Sequence, residues 1–494
     1  MSRKERARQT ETCENEIYSI TSELLGLLSE KVPASSAFLW DEYQQVSGLV
    51  TKLMDLQKEA DDGEWIKKEP DDVRKASFVE WCTKVGIRSH GVRLESITGF
   101  GWGVVADQPL AYGTKLLEVP RRAMLTVDAA CKGKMKTAFA ADPVLREMSN
   151  VALAVCVANE KLRGQRSFWQ PYLDMLPEAY AMPLFFSIDD MQLVKGCSCF
   201  DDVLRLSRSV VRQYAYFRQR AATVDHSWFH DGLFGDRRFT FRLYRWAVGT
   251  VMTRINFVPA SGTDLDLEPG REIVSVPAMI PFLDMFNHAE VPQCSDFDDD
   301  VGRVFASREY TPGEQVFIYY GPRPNRDFFF LNGFVCPGNT ADRFELNLSI
   351  SKSDKNFGRR AALLADFHLS PKAKFVLSSN SPTLSNELLL FAAVFVAKPD
   401  ELDVLLSDHH YQHRDAHFLV DDVFRPETVA AARKFLDARL NLLLARYSPS
   451  SCVYGDSNDS SFSNRKLALE YVNLETSVLK HNLALLKRQE AAQK

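Results

Sequence analysis

Residues 281–288 read Pro-Phe-Leu-Asp-Met-Phe-Asn-His, placing Asp284, Asn287 and His288 within five residues after an apolar run at 273–280. An apolar strand that ends in polar groups delivers those groups to the floor of a pocket. A second apolar run, 315–320, brings Tyr320 up to Gly321. An isolated Asn-His pair reads as a strand end whose polar groups satisfy nearby backbone. The partner run weighs against that plain reading and toward a site built from two segments. Other chemistries fit less well. There is no Cys-x-x-Cys, and Cys197-Ser198-Cys199 alone cannot supply four zinc ligands. His409, His410, His413 and His417 have no carboxylate or thiol arrangement to complete a metal site and read as a surface loop, so no metal is expected. The glycines at 99, 101 and 103 do not open a helix inside a βαβ unit, so they are not a dinucleotide loop. Lacking Cβ atoms, they let backbone approach a ligand closely.

The elements that position these residues are legible from periodicity. Ile17, Ile20, Leu24, Leu27 and Leu28 recur at helical spacing, as do Tyr43, Val46, Val50, Leu53 and Leu56, predicting two helices over 12–60. A third spans about 72–85, with Phe78, Trp81 and Cys82 inward and Gly86 as its stop. Short strands follow at 92–97, 103–106 and 115–120. Helical patterns return over 144–162, 201–220 and 244–254, and strands and turns over 254–334. Residues 324–333 read as a short helix capped by Gly333. From about 344 the pattern is helical, clearest at 360–369, 386–397, 426–447 and 466–488, and the Ser/Asp/Asn-rich stretch 448–464 reads as a loop. The acidic runs 263–266 and 296–300 read as solvated loops.

Composition narrows the class. The chain has 494 residues, more than one domain usually holds, with 45% hydrophobic and 25% charged residues. A formal charge of −5 gives no basic field for nucleic acid, and the basic cluster between Arg3 and Arg8 reads as a frayed, solvated end. Nine scattered cysteines suit a reducing compartment. No apolar run is long enough to span a bilayer and the N-terminus lacks a secretory pattern, so the cytoplasm is the expected location, with the nucleus as a second one.

Asn287-His288, followed by a strand ending in Tyr320-Gly321, resembles the SET-domain methyltransferases. In that family the two segments thread past each other as a pseudoknot around S-adenosylmethionine. The stretch 99–103 resembles the family's first cofactor loop. Residues 168–172 (Phe-Trp-Gln-Pro-Tyr), 212–217 (Arg-Gln-Tyr-Ala-Tyr-Phe), 244–248 and 251–254 resemble one branch, the actin-histidine N-methyltransferases of the Rubisco large-subunit methyltransferase class. The similarity extends over nearly the whole chain, including residues 21–25.

The resemblance implies an α+β fold: a β-rich SET core over 91–334, split by a helical insert at about 128–253, with an N-terminal helical segment over 1–90. Residues 335–494 would form an all-helical C-terminal domain that binds substrate. It implies S-adenosylmethionine as cofactor, actin as protein substrate, and a monomer with no nucleic acid or membrane partner. Carried over by position, Phe100, Gly101 and Trp102 would line the cofactor, Arg254 would face its carboxylate, and Asp284, Met285, Phe286, Asn287 and His288 would hold its amino-acid and adenosyl parts. Asn332 would complete that site, with Lys68 standing for an early cofactor Arg. Tyr320 would point at the transfer channel. Asn256 would hydrogen-bond one nitrogen of a substrate imidazole, and Arg212, Leu283, Ile318 and Arg323 would contact substrate. Three positions depart from the branch: Leu283 replaces Trp, leaving one pocket wall smaller, Phe100 replaces an acidic residue, and Asn332 replaces Ser. Three readings follow: a histidine methyltransferase acting on actin, a lysine methyltransferase of the same fold, and a non-catalytic scaffold. Tyr320, Asn287, His288 and Arg254 weigh against the scaffold, and Asn256 favours histidine over lysine.

Overall fold

Short apolar runs cut by turn glycines build the sheets that carry the site. The computed structural model describes residues 3–61, 69–223, 232–260, 274–407, 419–447 and 463–492. Strands β1 (Arg88–Ser89), β2 (Val92–Ile97), β3 (Gly101–Ala106), β4 (Lys115–Pro120) and β5 (Leu125–Thr126) precede the helical insert. Strands β6 (Asn256–Pro259), β7 (Ser275–Met279), β8 (Asn287–His288), β9 (Ser295–Phe297), β10 (Val301–Phe305) and β11 (Gln315–Ile318) follow it. They form three small sheets, ordered β1-β4-β10-β9, β2-β3-β11-β8 and β5-β7-β6.

The second of these sheets holds the two segments together. Gly99 and Gly101 take the left-handed φ values of 81° and 74° that the turn between β2 and β3 requires. β11 lies antiparallel against β3, pairing Val316 with Val104. β8 then joins β11 in parallel, setting Asn287 opposite Phe317 and His288 opposite Ile318. A parallel pair cannot close through a tight turn, so the intervening chain must travel away and return; it does so through the β9–β10 hairpin.

The expected strand leading straight into Asn287 is corrected. β7 belongs to the sheet with β5 and β6, and the chain leaves it at Phe282, whose φ is 72°. A single 3-10 turn, Leu283–Met285, precedes β8. Phe282 is buried with its ring among Phe78 and Phe286, and this packing holds a backbone conformation that a bulky residue rarely adopts.

Helix α1 (Arg3–Ser29) starts earlier than expected and takes in the basic cluster between Arg3 and Arg8 that the sequence reads as a frayed end. Helices α2 (Ser36–Leu56) and α3 (Asp71–Val85) form where the periodicity predicts, with Gly86 ending α3 at φ 85°. In the insert, the single helix expected over 144–162 is two, Pro143–Glu147 and α4 (Ser149–Arg163), broken at Met148. The Asp142 carboxylate caps the first of them. The insert continues through α5 (Gln170–Met175), α6 (Phe200–Thr223) and α7 (Phe241–Arg254).

The C-terminal region is mostly helical, with α8 (Asn386–Val396), α9 (Pro426–Leu444) and α10 (Asn464–Ala492) as main elements. It also carries one antiparallel pair the helical reading did not include, β12 (Arg343–Ser349) with β13 (Lys372–Ser378). Phe344, Leu346 and Leu348 alternate inward along β12.

Two buried clusters result. One joins the N-terminal helices, the three sheets and most of the insert. The other joins the C-terminal helices with Leu39, Trp40 and part of the insert from Phe186 to Leu204. Buried Glu475 on α10 fastens the latter seam: it accepts from the Ser198 N–H and from the hydroxyls of Tyr447 and Tyr471 at 2.6 and 2.7 Å. No helix among the described residues is long and apolar enough to cross a membrane. The histidine cluster 409–417, the acidic run 263–266 and most of the stretch 448–464 lie outside the described residues.

Candidate active site

Three chain segments meet at a cavity of about 230 Å³: the end of α7 with the start of β6, the Leu283–Asp284 turn, and the chain from Ile318 to Arg323. Helix α7 ends at Arg254 and β6 begins at Asn256, so a helix-to-strand junction offers two polar side chains to one space. Asn332 lines it from the segment that Gly333 closes at φ 76°. Gln293, Ser295 and Phe297 form a further wall.

Tyr320 donates its hydroxyl hydrogen to the Phe286 carbonyl at 2.7 Å. That bond fixes the phenol and leaves its oxygen lone pairs free toward the cavity it lines. Burial pushes its pKa up to about 12, so it stays a neutral phenol near pH 7. His288 serves the same strand crossing. Its Nδ1 accepts from the Tyr320 N–H at 3.2 Å, which puts the ring proton on Nε2. Its imidazole packs on Tyr320 and Phe328, with ring centroids 5.1 and 4.7 Å away. Burial lowers its pKa and keeps it the neutral acceptor this bond needs.

Arg254 and Asp284 form a buried pair. Arg254 donates from Nη1 to the Asp284 carbonyl at 2.7 Å and sits 3.7 Å from the carboxylate Oδ1. Tyr172 donates its hydroxyl to Oδ2 of the same carboxylate. Burial pushes the Asp284 carboxyl up to about 6 against the opposing pull of Arg254 and the Tyr172 hydrogen bond. Arg254 is raised above its usual value: burial opposes the charge, and Asp284 with the nearby tyrosines more than offsets it.

Asn256 donates from Nδ2 to the Arg254 carbonyl at 3.2 Å. An amide oxygen could not face that carbonyl, so the orientation is settled by its partner. The Asn256 side-chain oxygen is therefore left as an acceptor at the cavity. Asn332 is held on both sides, accepting from Arg323 Nη1 at 3.2 Å and donating to the Thr253 carbonyl at 3.3 Å.

The cavity thus gathers Arg254, Asn256, Leu283, Asp284, Ile318, Tyr320, Arg323 and Asn332. Leu283 is 1% exposed and forms wall without polar contact. Met285 and Phe286 are buried behind it, Phe286 acting through its carbonyl. Asn287 faces β3: a Cβ on Gly103 would lie 3.0 Å from its Nδ2, so the missing side chain at 103 makes room for it. The loop with Phe100, Gly101 and Trp102 opens the same strand; Phe100 is 54% exposed and Trp102 partly buried, and neither lines the cavity. Arg212 lies exposed on α6 and is not brought to the cavity, and Lys68 lies outside the described residues. Sequence reading missed Tyr172 and Tyr180 as site residues, and the wall formed by Gln293, Ser295 and Phe297. No motif marks them, because their roles come from contacts such as Tyr172 to Asp284 across 112 residues.

The residues fit the amino-acid end of S-adenosylmethionine. Arg254 Nε is a buried donor and Asp284 Oδ1 a buried acceptor, and neither has a hydrogen-bond partner among the described residues. One unmet cationic donor beside one unmet carboxylate oxygen matches a carboxylate and an ammonium on one carbon. Asn287 Nδ2 is a further buried donor without a hydrogen-bond partner among the described residues. Among the described residues no group of His, Cys, Asp and Glu could hold a metal ion.

Known proteins resemble this chain over most of its length. Residues 101–321 match the SET domain, and residues 351–479 match the Rubisco LSMT substrate-binding domain. The chain is 31% identical over 441 residues to the actin-histidine N-methyltransferase of Mus musculus, covering 87% of this chain and 70% of that protein. It is 32% identical over 440 residues to that of Xenopus tropicalis, covering 86% and 72%. Among solved structures, Rubisco LSMT bound to AdoMet aligns with a TM-score of 0.64 at 18% identity, over 86% of this chain and 93% of that one. The SET domain of LSMT bound to lysine and AdoHcy aligns with a TM-score of 0.63 at 20% identity, over 85% and 92%.

Proposed function

The chain belongs to the actin-histidine N-methyltransferase family of SET-domain proteins, and on that premise we propose how its residues methylate a histidine of actin. It is an S-adenosylmethionine-dependent protein-histidine N-methyltransferase that acts on an imidazole ring nitrogen. The observation that carries the choice of histidine is Asn256, whose amide gives one N–H to the Arg254 carbonyl, which turns its oxygen away from that carbonyl as an acceptor.

S-adenosylmethionine, when bound, supplies a methyl group made electrophilic by its sulfonium. Transfer to a nitrogen is an in-line displacement, so the chain's contribution is alignment. Arg254 would hold the carboxylate of the cofactor's amino-acid end, and Asp284 and Asn287 would hold the groups beside it. The loop at Phe100, Gly101 and Trp102, with His288, would hold the rest of the cofactor. Tyr320, with its hydrogen committed to Phe286, turns oxygen lone pairs toward the transfer path, where they attract the electropositive methyl hydrogens. On the opposite side, the Asn256 oxygen accepts the substrate's ring N–H. That fixes the imidazole tautomer and leaves the other nitrogen's lone pair facing the path. Leu283, Ile318 and Arg323 wall the imidazole site, and Arg212 touches the protein substrate outside it. A neutral imidazole has a lone pair ready at pH 7, so no side chain need act as base before attack; as the N–CH3 bond forms the S–CH3 bond would break to leave a neutral thioether, and the cationic methylated ring would give up its N–H proton to solvent.

Two peptides of the same actin sequence, one with the target histidine and one with lysine in its place, test the reading. Methyl transfer to the histidine peptide alone supports it; preferential transfer to lysine overturns it. A monomer in the cytoplasm, with the nucleus as a second location, and without nucleic-acid or membrane partners, is the proposed state. Sedimentation of the purified chain and fractionation of cells check it, and a stable oligomer or a membrane pellet would contradict it.

A further inference from the structure

Tyr172 is 0% exposed on the short helix α5, far in sequence from the two segments that form the strand crossing. Its hydroxyl donates to the Asp284 carboxylate, and its ring lies 6.3 Å from Phe78, which also grips Phe282 at 6.2 Å. Helix α5 is itself anchored: the Asp174 carbonyl accepts from Arg74, and its carboxylate pairs with Lys161 at 3.1 Å. The strained turn that presents Leu283 and Asp284 is therefore held at both its apolar and its polar end by one rigid patch.

We propose that Tyr172 is a positioning residue for methyl transfer: its hydroxyl anchors the Asp284 carboxylate beside Arg254, and so aims the guanidinium at the cavity. Arg254 touches Asp284 through the main chain at 2.7 Å and faces its carboxylate oxygen at 3.7 Å. A carboxylate that turned away or took up a proton would leave a buried guanidinium without its counter-charge, and the aim of its free Nε would go with it. The proposal rests on the reading of Arg254 as the partner of the cofactor's carboxylate.

The groups that face Asp284 decide its protonation. They are Arg254 from α7, Tyr172 from α5, Tyr320 from the end of the β11 segment, and Tyr180 from the loop after α5, which acts on Arg254. Both buried phenols that flank the pair, Tyr172 and Tyr180, have raised pKa values, chiefly from burial, and stay protonated donors. The Tyr172 hydrogen bond favours the ionised carboxylate, so its removal raises the Asp284 pKa further, by about one to two pH units for one hydrogen bond to a charged group. The sign follows from linkage. A carboxyl whose folded pKa lies above its unfolded value loses stability as pH rises between the two, and raising the folded value extends that loss to higher pH. A hydroxyl that merely fills space costs the same at every pH.

The test is Tyr172→Phe, read in two ways. Thermal unfolding without ligand, from about pH 5 to about pH 8, is expected to show a deficit relative to the parent that grows with pH. Calorimetry with S-adenosylmethionine at about pH 7.5 is expected to show a Kd weakened by about tenfold, the loss of one charge-assisted contact. A deficit that does not change with pH, or an unchanged Kd, overturns the proposal. In an Asp284→Asn background the added Tyr172→Phe should cost the same at every pH; a deficit that still grows there also overturns it. Should Tyr172→Phe not fold, the partner change Asp284→Asn takes its place. Its deficit relative to the parent should shrink as pH rises from about 5 to about 7, because the carboxyl whose ionisation costs stability is gone, and its Kd for S-adenosylmethionine should weaken by about tenfold; a deficit that stays flat or grows, or an unchanged Kd, overturns the proposal. Failure of the underlying reading is distinguishable: Arg254→Lys would then bind S-adenosylmethionine as the parent does while the pH-dependent deficit persists.

Discussion

Asn256→Ala removes the cavity side chain proposed to orient a substrate imidazole. The Asn256 amide makes a 3.2 Å bond to the Arg254 carbonyl, and its oxygen makes no hydrogen bond among the described residues. The substitution therefore does two things. It frees the carbonyl at the end of α7, a half-buried position where water can take over. It also leaves the substrate's ring N–H buried without an acceptor, which costs about 1–3 kcal/mol. At 1.4 kcal/mol per factor of ten, kcat/KM for a histidine peptide should fall by about 5- to 150-fold. The assay is single-turnover transfer from labelled S-adenosylmethionine, with cofactor Kd measured separately by calorimetry. The Kd should stay within about twofold of the parent, because the Arg254 side chain is untouched. Parent-like kcat/KM would refute the orienting role. So would a loss accounted for entirely by weaker cofactor binding.

Three further outcomes follow from the same geometry. Tyr320→Phe keeps the ring against His288 but loses the hydroxyl bound to Phe286; turnover should drop by at least about tenfold with the fold intact, as circular dichroism and rate together would report. Single-turnover transfer should rise between about pH 5.5 and pH 7.5 and then flatten, as the substrate imidazole, unperturbed pKa about 6.5, loses its proton. The Asp284 carboxyl at about 6 adds to the same acid limb, because its ionised form is lost as pH falls, and Tyr320 at about 12 adds nothing below pH 10. A rate that climbs about tenfold per unit up to pH 9.5 would mark a lysine acceptor. Gly333→Ala puts a side chain at φ 76° with its Cβ 2.3 Å from the Ala181 carbonyl oxygen; a stability loss of at least about 1–3 kcal/mol is expected in denaturant melts, and an unchanged midpoint would contradict the close approach.

How much was legible depended on sequence distance. Helices α1 to α3 follow from apolar residues three and four apart, and Gly86 and Gly333 end their segments because no other residue takes those φ values cheaply. The pairing of Asn287 and His288 with Phe317 and Ile318 was legible only through the resemblance, since no periodicity says which short strands meet. β12 carried a period-two signal in Phe344, Leu346 and Leu348 that the surrounding helical pattern hid. The turn at Phe282 has no local signal, because packing against the distant Phe78 holds it, and the Asp142 cap marks where the first helix starts but not the break at Met148. The same holds in the site. Asp284 and Tyr320 stood out as polar groups beside apolar runs, whereas Asn256 was placed only by the resemblance. Tyr172 looked like any other core aromatic, and its contact with Asp284 exists only once the insert folds back on the turn.

The central claim is that a histidine of actin receives the methyl group. Purified chain, intact actin and isotopically labelled S-adenosylmethionine, followed by peptide mass spectrometry, test it directly. The account predicts one labelled site on actin, on a ring nitrogen of a histidine, lost with Asn256→Ala and with Tyr320→Phe. Label on a lysine, or no label while calorimetry shows the cofactor bound, would contradict it.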